Sequence, residues 1–214
     1  LADRSMEYLT GWLKERELLD DTLLIITADH GETFQGHTAY IGHAYEVYED
    51  TIRVPLIVRF PGRVPARGPI EETARLVDIF PTVLDALGIA IPEGVEGRSM
   101  WPVLNGSREK MPPVPQIYSE TIPPQGETYK LAIRDGRWKY IYDMEGGAEQ
   151  LFDLESDPKE RNNLAGEPAS AAMMEEMRNL ASGWFGRKGL KLNAELEDLP
   201  PEKLQELKDL GYIH

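Results

Sequence analysis

Cysteine is absent from this sequence. The chain therefore has no disulfide bond, no thiolate metal ligand and no cysteine nucleophile, and its cysteine usage carries no information about its compartment. Long apolar runs are absent too, so no stretch has the length that a helix needs to span a bilayer. The sequence begins at Leu1 inside a helical pattern. We therefore expect a piece of a longer protein, and the lack of a signal peptide leaves the location of that parent open.

Basic clusters are also missing, and acidic residues dominate the charge. The 37 Asp and Glu residues outnumber the 23 Lys and Arg residues, which gives a formal net charge of −14. A nucleic-acid groove or a patch for an anionic membrane needs clustered Lys and Arg, so we expect neither partner. The acidic balance is typical of an ordinary enzyme surface.

The most informative stretch is an apolar run that stops at a carboxylate and an imidazole. Leu23–Ile26 is too short for an isolated core helix and predicts a strand buried on both faces of a parallel sheet. Asp29 and His30 follow, and ligands of open α/β sheets bind beyond the carboxyl ends of the strands. Because Asp oxygen and His nitrogen both bind divalent cations, the pair predicts part of a metal site. Glu32 fits a supporting role there better than a catalytic one.

Further helices and a second strand are predicted around this run. Apolar residues at helical spacing predict a helix over Asp3–Leu19, and an acidic turn separates that helix from the strand, as in half of a βαβ crossover. Ile52–Phe60 predicts the next buried strand. Asp78 predicts the cap of another helix, which ends at Gly88.

The composition shifts at about Met111, where prolines mark a connector. The strands predicted after it are Tyr129–Ile133, Trp138–Tyr142 and Gln150–Leu154, and the predicted helices are Ala169–Phe185 and one that begins at Pro201. The dipeptide Asp135-Gly136 is a strong signal for a hairpin between the first two of these strands. Lys130, Trp138 and Lys139 fit strand positions that face solvent or core, without a role at a site.

Two further histidines lie in the loop after His30. His37 and His43 each follow a glycine, which lets backbone approach a ligand closely. A single loop histidine is more often solvated than catalytic, but two of them just past an Asp-His pair favour a functional role.

Spaced blocks of this sequence resemble those of a known enzyme family. The blocks are ADHGE, GHTAYIGHAYEVYEDTIRVPLIVRFPG, LVDIFPTVLDALGI, GRSMWPVLNG, RDGRWKYIY, LFDLESDPKERNNLA and the closing DLGYI. In this order they resemble the C-terminal half of a sulfatase of the alkaline-phosphatase superfamily. The resemblance implies an α/β fold, with residues 1–110 as the C-terminal part of a three-layer catalytic sandwich. Residues 111–214 would form a smaller α+β subdomain, an antiparallel sheet with a packed helix.

The same resemblance implies roles for individual side chains. Asp29 and His30 match the family's metal-binding pair. The usual metal is calcium, with manganese, magnesium or zinc as alternatives. His43 matches an active-site histidine or lysine that assists the leaving oxygen, and His37 matches a histidine expected to contact the substrate. The implied substrate is a small-molecule or saccharide sulfate ester.

The nucleophile of that family has no counterpart in this sequence. Sulfatases make formylglycine from Cys or Ser in a C/S-x-P-x-R motif, and this chain contains neither Cys nor Ser-x-Pro-x-Arg. We therefore expect the formylglycine in an N-terminal part of the parent enzyme. The chain alone should bind metal weakly and turn over nothing. Because part of the sheet would then be missing, we also expect self-association through its exposed edge.

Three other interpretations stay open. The parent can be a phosphodiester or phosphonate monoester hydrolase, or a phosphoethanolamine transferase, of the same superfamily. It can also be a binding module that has lost its nucleophile, or an unrelated α/β domain with an incidental ADHG. The upstream reading frame is the observation that would separate these interpretations, through the presence or absence of a C/S-x-P-x-R motif.

Overall fold

A computed structural model of the chain describes residues 2–33, 46–114, 116–121, 129–144 and 146–187. The chain folds as two compact units, Leu1–Asp29 with Pro55–Val114 and His30–Val54 with Pro115–His214. The predicted division between residues 110 and 111 stays a prediction. Within the described ranges, no helix is both long and apolar enough to cross a membrane.

The described residues form α-helices of 4 to 17 residues and strands of 4 to 6 residues. The helices in the described part are α1 (Ala2–Glu15), α2 (Glu49–Ile52), α3 (Ile79–Ala86), α4 (Trp101–Leu104) and α5 (Ala171–Arg187). The strands there are β1 (Leu24–Thr27), β2 (Leu56–Arg59), β3 (Ile117–Glu120), β4 (Lys130–Asp135), β5 (Trp138–Asp143) and β6 (Glu149–Asp153). The helix predicted to begin at Pro201 lies outside the described residues.

The strands β1 and β2 pair antiparallel, which corrects the prediction of a parallel sheet buried on both faces. Thr27 lies opposite Leu56, and all residues of both strands are at least partly exposed. A short aliphatic run is compatible with either strand direction, so the apolar pattern could not decide it. Ile52 belongs to α2 rather than to a strand. Pro55 disfavours helical backbone at Val54, so α2 ends before that residue. The predicted self-association through the edge of this sheet stays a prediction.

Asp78 is fully buried, but its side chain does not cap α3 as predicted. The carboxylate accepts hydrogen bonds of 2.9 Å from the backbone N–H groups of Arg75 and Arg98. The Arg75 guanidinium also donates to it across 2.8 Å. Asp78 itself has helical backbone, so its side chain points away from the first turn of α3 and closes the 3₁₀ turn Leu76–Asp78 instead. Asp78 is therefore a structural carboxylate. Gly88 follows the end of α3 with φ +70°, in agreement with the predicted C-terminus.

The second unit contains an antiparallel sheet in the order β3-β4-β5-β6. The hairpin predicted at Asp135-Gly136 is confirmed: Asp135 pairs with Trp138, and Gly136 at φ +58° makes the tight turn. Strand β6 is also confirmed, one residue earlier than predicted. Strand β3 was not predicted, because the prolines around it are typical of a connector.

The two faces of this sheet carry different layers. On one face, Leu131, Ile133, Tyr140, Tyr142 and Leu151 pack against Met174, Met177 and Phe185 of the predicted helix α5. On the other face, Ala132, Ile141 and Phe152 pack against Val47 and Tyr48. The alternation of side chains along β4 and β5 creates both apolar faces. The segment that leads into α2 is therefore part of the core of the second unit.

Candidate functional site

The predicted metal pair lies directly beyond the end of β1. Only Ala28 separates Thr27, the last residue of the strand, from Asp29, and both Asp29 and His30 are exposed. The Nδ1 atom of His30 lies 2.9 Å from the carbonyl oxygen of Gly31. Because a carbonyl oxygen can only accept, Nδ1 carries the proton in the neutral ring, and Nε2 carries the lone pair. Histidines that bind metals are held in this way by a hydrogen bond from the other ring nitrogen.

Gly31 fastens this loop to helix α2. Its N–H donates a hydrogen bond of 2.6 Å to the carbonyl oxygen of Thr51. A Cβ atom at this position would lie 2.2 Å from the carbonyl oxygen of Asp50. The buried hydroxyls of Thr33 and Thr51 add a second contact, with 2.9 Å between their oxygens. The loop from His30 to Thr33 is thus held on both sides of Glu32, and the glycine of ADHGE is required by close packing.

Replacing Gly31 by alanine is expected to lower the free energy of unfolding by about 1–3 kcal/mol. The added Cβ would meet backbone rather than a movable side chain, so the loop or α2 must shift. Gly68→Ala is the matched control, because a Cβ there meets no atom within 4 Å. Urea unfolding of both variants measures the difference. Equal midpoints for the two variants would contradict the close packing at Gly31.

The residues just before helix α2 contact the four-stranded sheet. The Tyr48 ring packs edge-on against Phe152 at 6.2 Å between ring centroids, and its hydroxyl donates to Gln150 Oε1 across 2.8 Å. Burial raises the pKa of Tyr48 above its ordinary value, so the hydroxyl keeps the proton that it donates. The Lys130 ammonium lies 2.6 Å from the Glu46 carboxylate, another contact between the sheet and this segment.

A buried lysine of the sheet also contacts helix α2. Lys139, on the same face of the sheet as Ile141, has no exposed surface, and its Nζ lies 2.6 Å from Glu160 Oε1 and 3.1 Å from Glu49 Oε1. Burial raises the pKa of the Glu160 carboxyl above its ordinary value, and the Lys139 charge opposes that rise. Lys139 was predicted to occupy a strand position without a role at a site. A lysine inside the apolar strand WKYIY was the available signal.

The structure describes two of the four predicted site residues. Asp29 and His30 are described, whereas His37 and His43 lie outside the described residues. Across the part of the chain that the structure covers, no group of three or more His, Asp or Glu side chains could hold a metal ion. The metal-binding role of Asp29 and His30 stays a prediction.

Comparison with known proteins gives a family match over most of the chain. The model of the family "N-sulphoglucosamine sulphohydrolase, C-terminal" matches residues 43–182. A Delta 4,5-hexuronate-2-O-sulfatase of Bacteroides thetaiotaomicron is 32% identical over 184 residues, which cover 82% of this chain and 38% of that protein. Arylsulfatase K of Mus musculus is 35% identical over 162 residues, covering 72% of this chain and 29% of that protein. The chain thus spans about a third of the length of these relatives.

Solved structures give the same result for the fold. A 2-O GAG sulfatase matches with a TM-score of 0.80 and 27% identity over 95% of this chain and 46% of its own. A protein in complex with its substrate D-glucosamine-2-N,6-O-disulfate matches with a TM-score of 0.75 and 26% identity, over 86% of this chain and 38% of its own. The phosphonate monoester hydrolase of Silicibacter pomeroyi matches with a TM-score of 0.72 and 30% identity, again over 86% and 38%. These matches confirm the predicted α/β fold class.

Proposed function

The chain belongs to the sulfatase family as its C-terminal portion, and we propose that the complete enzyme hydrolyses sulfate esters at the loop of Asp29 and His30. The observation that carries the proposal is the arrangement of that loop. A carboxylate and a histidine follow a strand end, and Nδ1 of the histidine donates to the carbonyl oxygen of Gly31, which leaves the lone pair of the neutral ring on Nε2. The loop lies in a chain that resembles sulfatases over most of its length.

We propose a saccharide sulfate as the substrate class. The matched relatives include a hexuronate-2-O-sulfatase, and one matched structure holds a disulfated glucosamine as its substrate. A sulfated sugar presents an anionic ester among hydroxyl groups. The ester would bind at the metal, and the hydroxyls would bind to loop side chains such as His37.

The donor set at the loop fits a divalent metal, for which calcium is the proposed identity. Asp29 would supply a carboxylate oxygen, which suits calcium, magnesium and manganese, and His30 would supply Nε2, which suits zinc. Such an ion, when bound, would polarise the sulfuryl group and stabilise developing negative charge. Asp29 would hold the ion, and Gly31 would keep the imidazole turned toward it. His43 would donate a proton to the leaving oxygen, and formylglycine would be the nucleophile, contributed by a part of the parent beyond this sequence.

The proposed function predicts a preference among esters in the complete enzyme. We expect kcat/KM for a sulfated glucosamine or for 4-nitrophenyl sulfate to exceed that for a phenyl phosphonate monoester by about 100-fold or more. The phosphonate arm is needed because a phosphonate monoester hydrolase is among the matched structures. Steady-state kinetics on all three substrates provides the test. A higher kcat/KM for the phosphonate would assign the parent to phosphonate hydrolysis, and no turnover of any ester would favour a binding module.

A further inference from the structure

Three buried side chains of the second unit form an ionic cluster, here called the Lys139 network. It consists of Lys139, Glu49 and Glu160, whose side chains are 0%, 13% and 1% exposed. The Lys139 ammonium lies within ion-pair distance of both carboxylates, and Arg134 Nη1 lies 3.7 Å from the second oxygen of Glu49. Since bulk water barely reaches these charges, each is compensated mainly by the others.

Compared with apolar side chains in the same positions, this network is expected to add little to the free energy of unfolding. Arg134 and Phe152 lie opposite Lys139 on the two neighbouring strands, and Ala132, Ile141 and Phe152 form an apolar cluster with Val47 on the same face of the sheet. Apolar side chains in place of Lys139, Glu49 and Glu160 together would fill similar volume there. Replacement of a buried ion pair by well-packed apolar side chains is often neutral or stabilising. A buried charge that adds little stability can still fix the position of the groups that it pairs with.

The network fixes the first residue of α2. Glu160 Oε2 accepts a hydrogen bond of 2.6 Å from the backbone N–H of Glu49, while its Oε1 faces Lys139. Glu160 holds this position with φ +53°, a left-handed backbone that costs about 1 kcal/mol for a residue with a side chain. At the other end of α2, the carbonyl of Thr51 accepts the N–H of Gly31. A continuous path of polar contacts thus runs from Lys139 through α2 to the backbone next to His30.

We infer that the Lys139 network positions the loop from His30 to Thr33, here called the His30 loop. Lys139 and Glu160 fix the beginning of α2, and α2 fixes Gly31, whose carbonyl orients the His30 ring. The network touches neither substrate nor metal, so its members are positioning residues. The inference rests on the proposed function only in its last step, that the oriented ring binds a metal ion.

The test is hydrogen exchange at Gly31 in the complete enzyme that carries Lys139→Met. The Gly31 amide is expected to exchange at least about 10-fold faster, and the urea midpoint of unfolding is expected to fall, because the buried carboxylates of Glu49 and Glu160 lose their cation. Amides of β5 report the global loss of stability, and the increase at Gly31 is measured relative to them. Arg178→Met is the matched control. It removes an ion pair of 2.6 Å with Glu149 at the α5 layer, and should leave Gly31 exchange unchanged. If Lys139→Met does not fold, Glu160→Gln takes its place, because it keeps the shape and removes the charge.

Unchanged Gly31 exchange in the folded variant would overturn the inference. An equal increase in the Arg178→Met control would overturn it as well, because the effect would then be general. Calcium titration of the same proteins separates the inference from the proposed function. Faster exchange together with calcium affinity lowered about 10-fold or more supports both. Faster exchange with unchanged calcium affinity supports the positioning of the loop and removes His30 from the metal site.

Discussion

Asp29→Ala in the complete enzyme is expected to lower kcat/KM for a sulfate ester by about 1,000-fold or more. Loss of a group that only orients a metal ligand costs about 10–100-fold, and loss of the ligand itself should cost more. Asp29 follows the end of β1 by two residues of chain and is exposed, so a cation can reach it without an opening of the fold. The variant should also lose its bound metal, because alanine supplies no oxygen to replace the carboxylate.

Elemental analysis of the purified variant measures metal stoichiometry independently of turnover. Asp21→Ala is a suitable control, because Asp21 is also an exposed carboxylate and precedes the same strand. Both variants lose one negative charge, so a general electrostatic effect on cation binding would appear in both. Full metal content in Asp29→Ala would remove this residue from the site, whatever happens to the rate.

Local patterns predicted the second unit well. The dipeptide Asp135-Gly136 predicted a hairpin because glycine readily adopts the positive φ of a tight turn, and the turn has that geometry. Residues 169–185 were predicted to be helical, and Met177 of helix α5 is fully buried against the sheet. These features depend on neighbours within a few residues, which the sequence displays directly.

Contacts between distant parts of the chain could not be predicted in this way. Lys139 and Glu49 are 90 positions apart, and no periodicity relates them. The same limit applies to the antiparallel pairing of β1 with β2, since a run of aliphatic residues does not indicate the direction of its partner. The motif located Asp29 and His30, but the hydrogen bond that sets the tautomer of His30 required coordinates.

The sheet of the second unit also gains a role from these contacts. Residues 43–182 match the family model, and they include both helix α2 and the sheet on which it is mounted. Tyr48, Lys130 and Lys139 connect that sheet to the segment between the His30 loop and β2. The sheet therefore supports a loop of the proposed active site and does more than cover the end of the chain.

His43→Ala in the complete enzyme is expected to lower turnover most for sulfate esters with poor leaving groups. Cleavage of such an ester leaves an alkoxide, and a nearby imidazolium can donate a proton to it. A histidine suits this role because its unperturbed pKa is near neutral, and an anionic substrate would favour its protonated form. The expected loss is about 100-fold or more for an alkyl or saccharide sulfate. His43 lies outside the described residues, so the role rests on its match to the family position ahead of YEDTIRVP.

The dependence on the leaving group distinguishes proton donation from binding. An activated aryl sulfate such as 4-nitrophenyl sulfate releases a stable phenoxide. Because this leaving group needs little protonation, His43→Ala should slow the turnover of that ester much less. His37→Ala is the matched comparison. It should mainly raise KM, because substrate contact is the role implied for His37. Equal losses of kcat for activated and unactivated esters in His43→Ala would assign His43 to binding or positioning, because a proton donor contributes in proportion to the basicity of the departing oxygen.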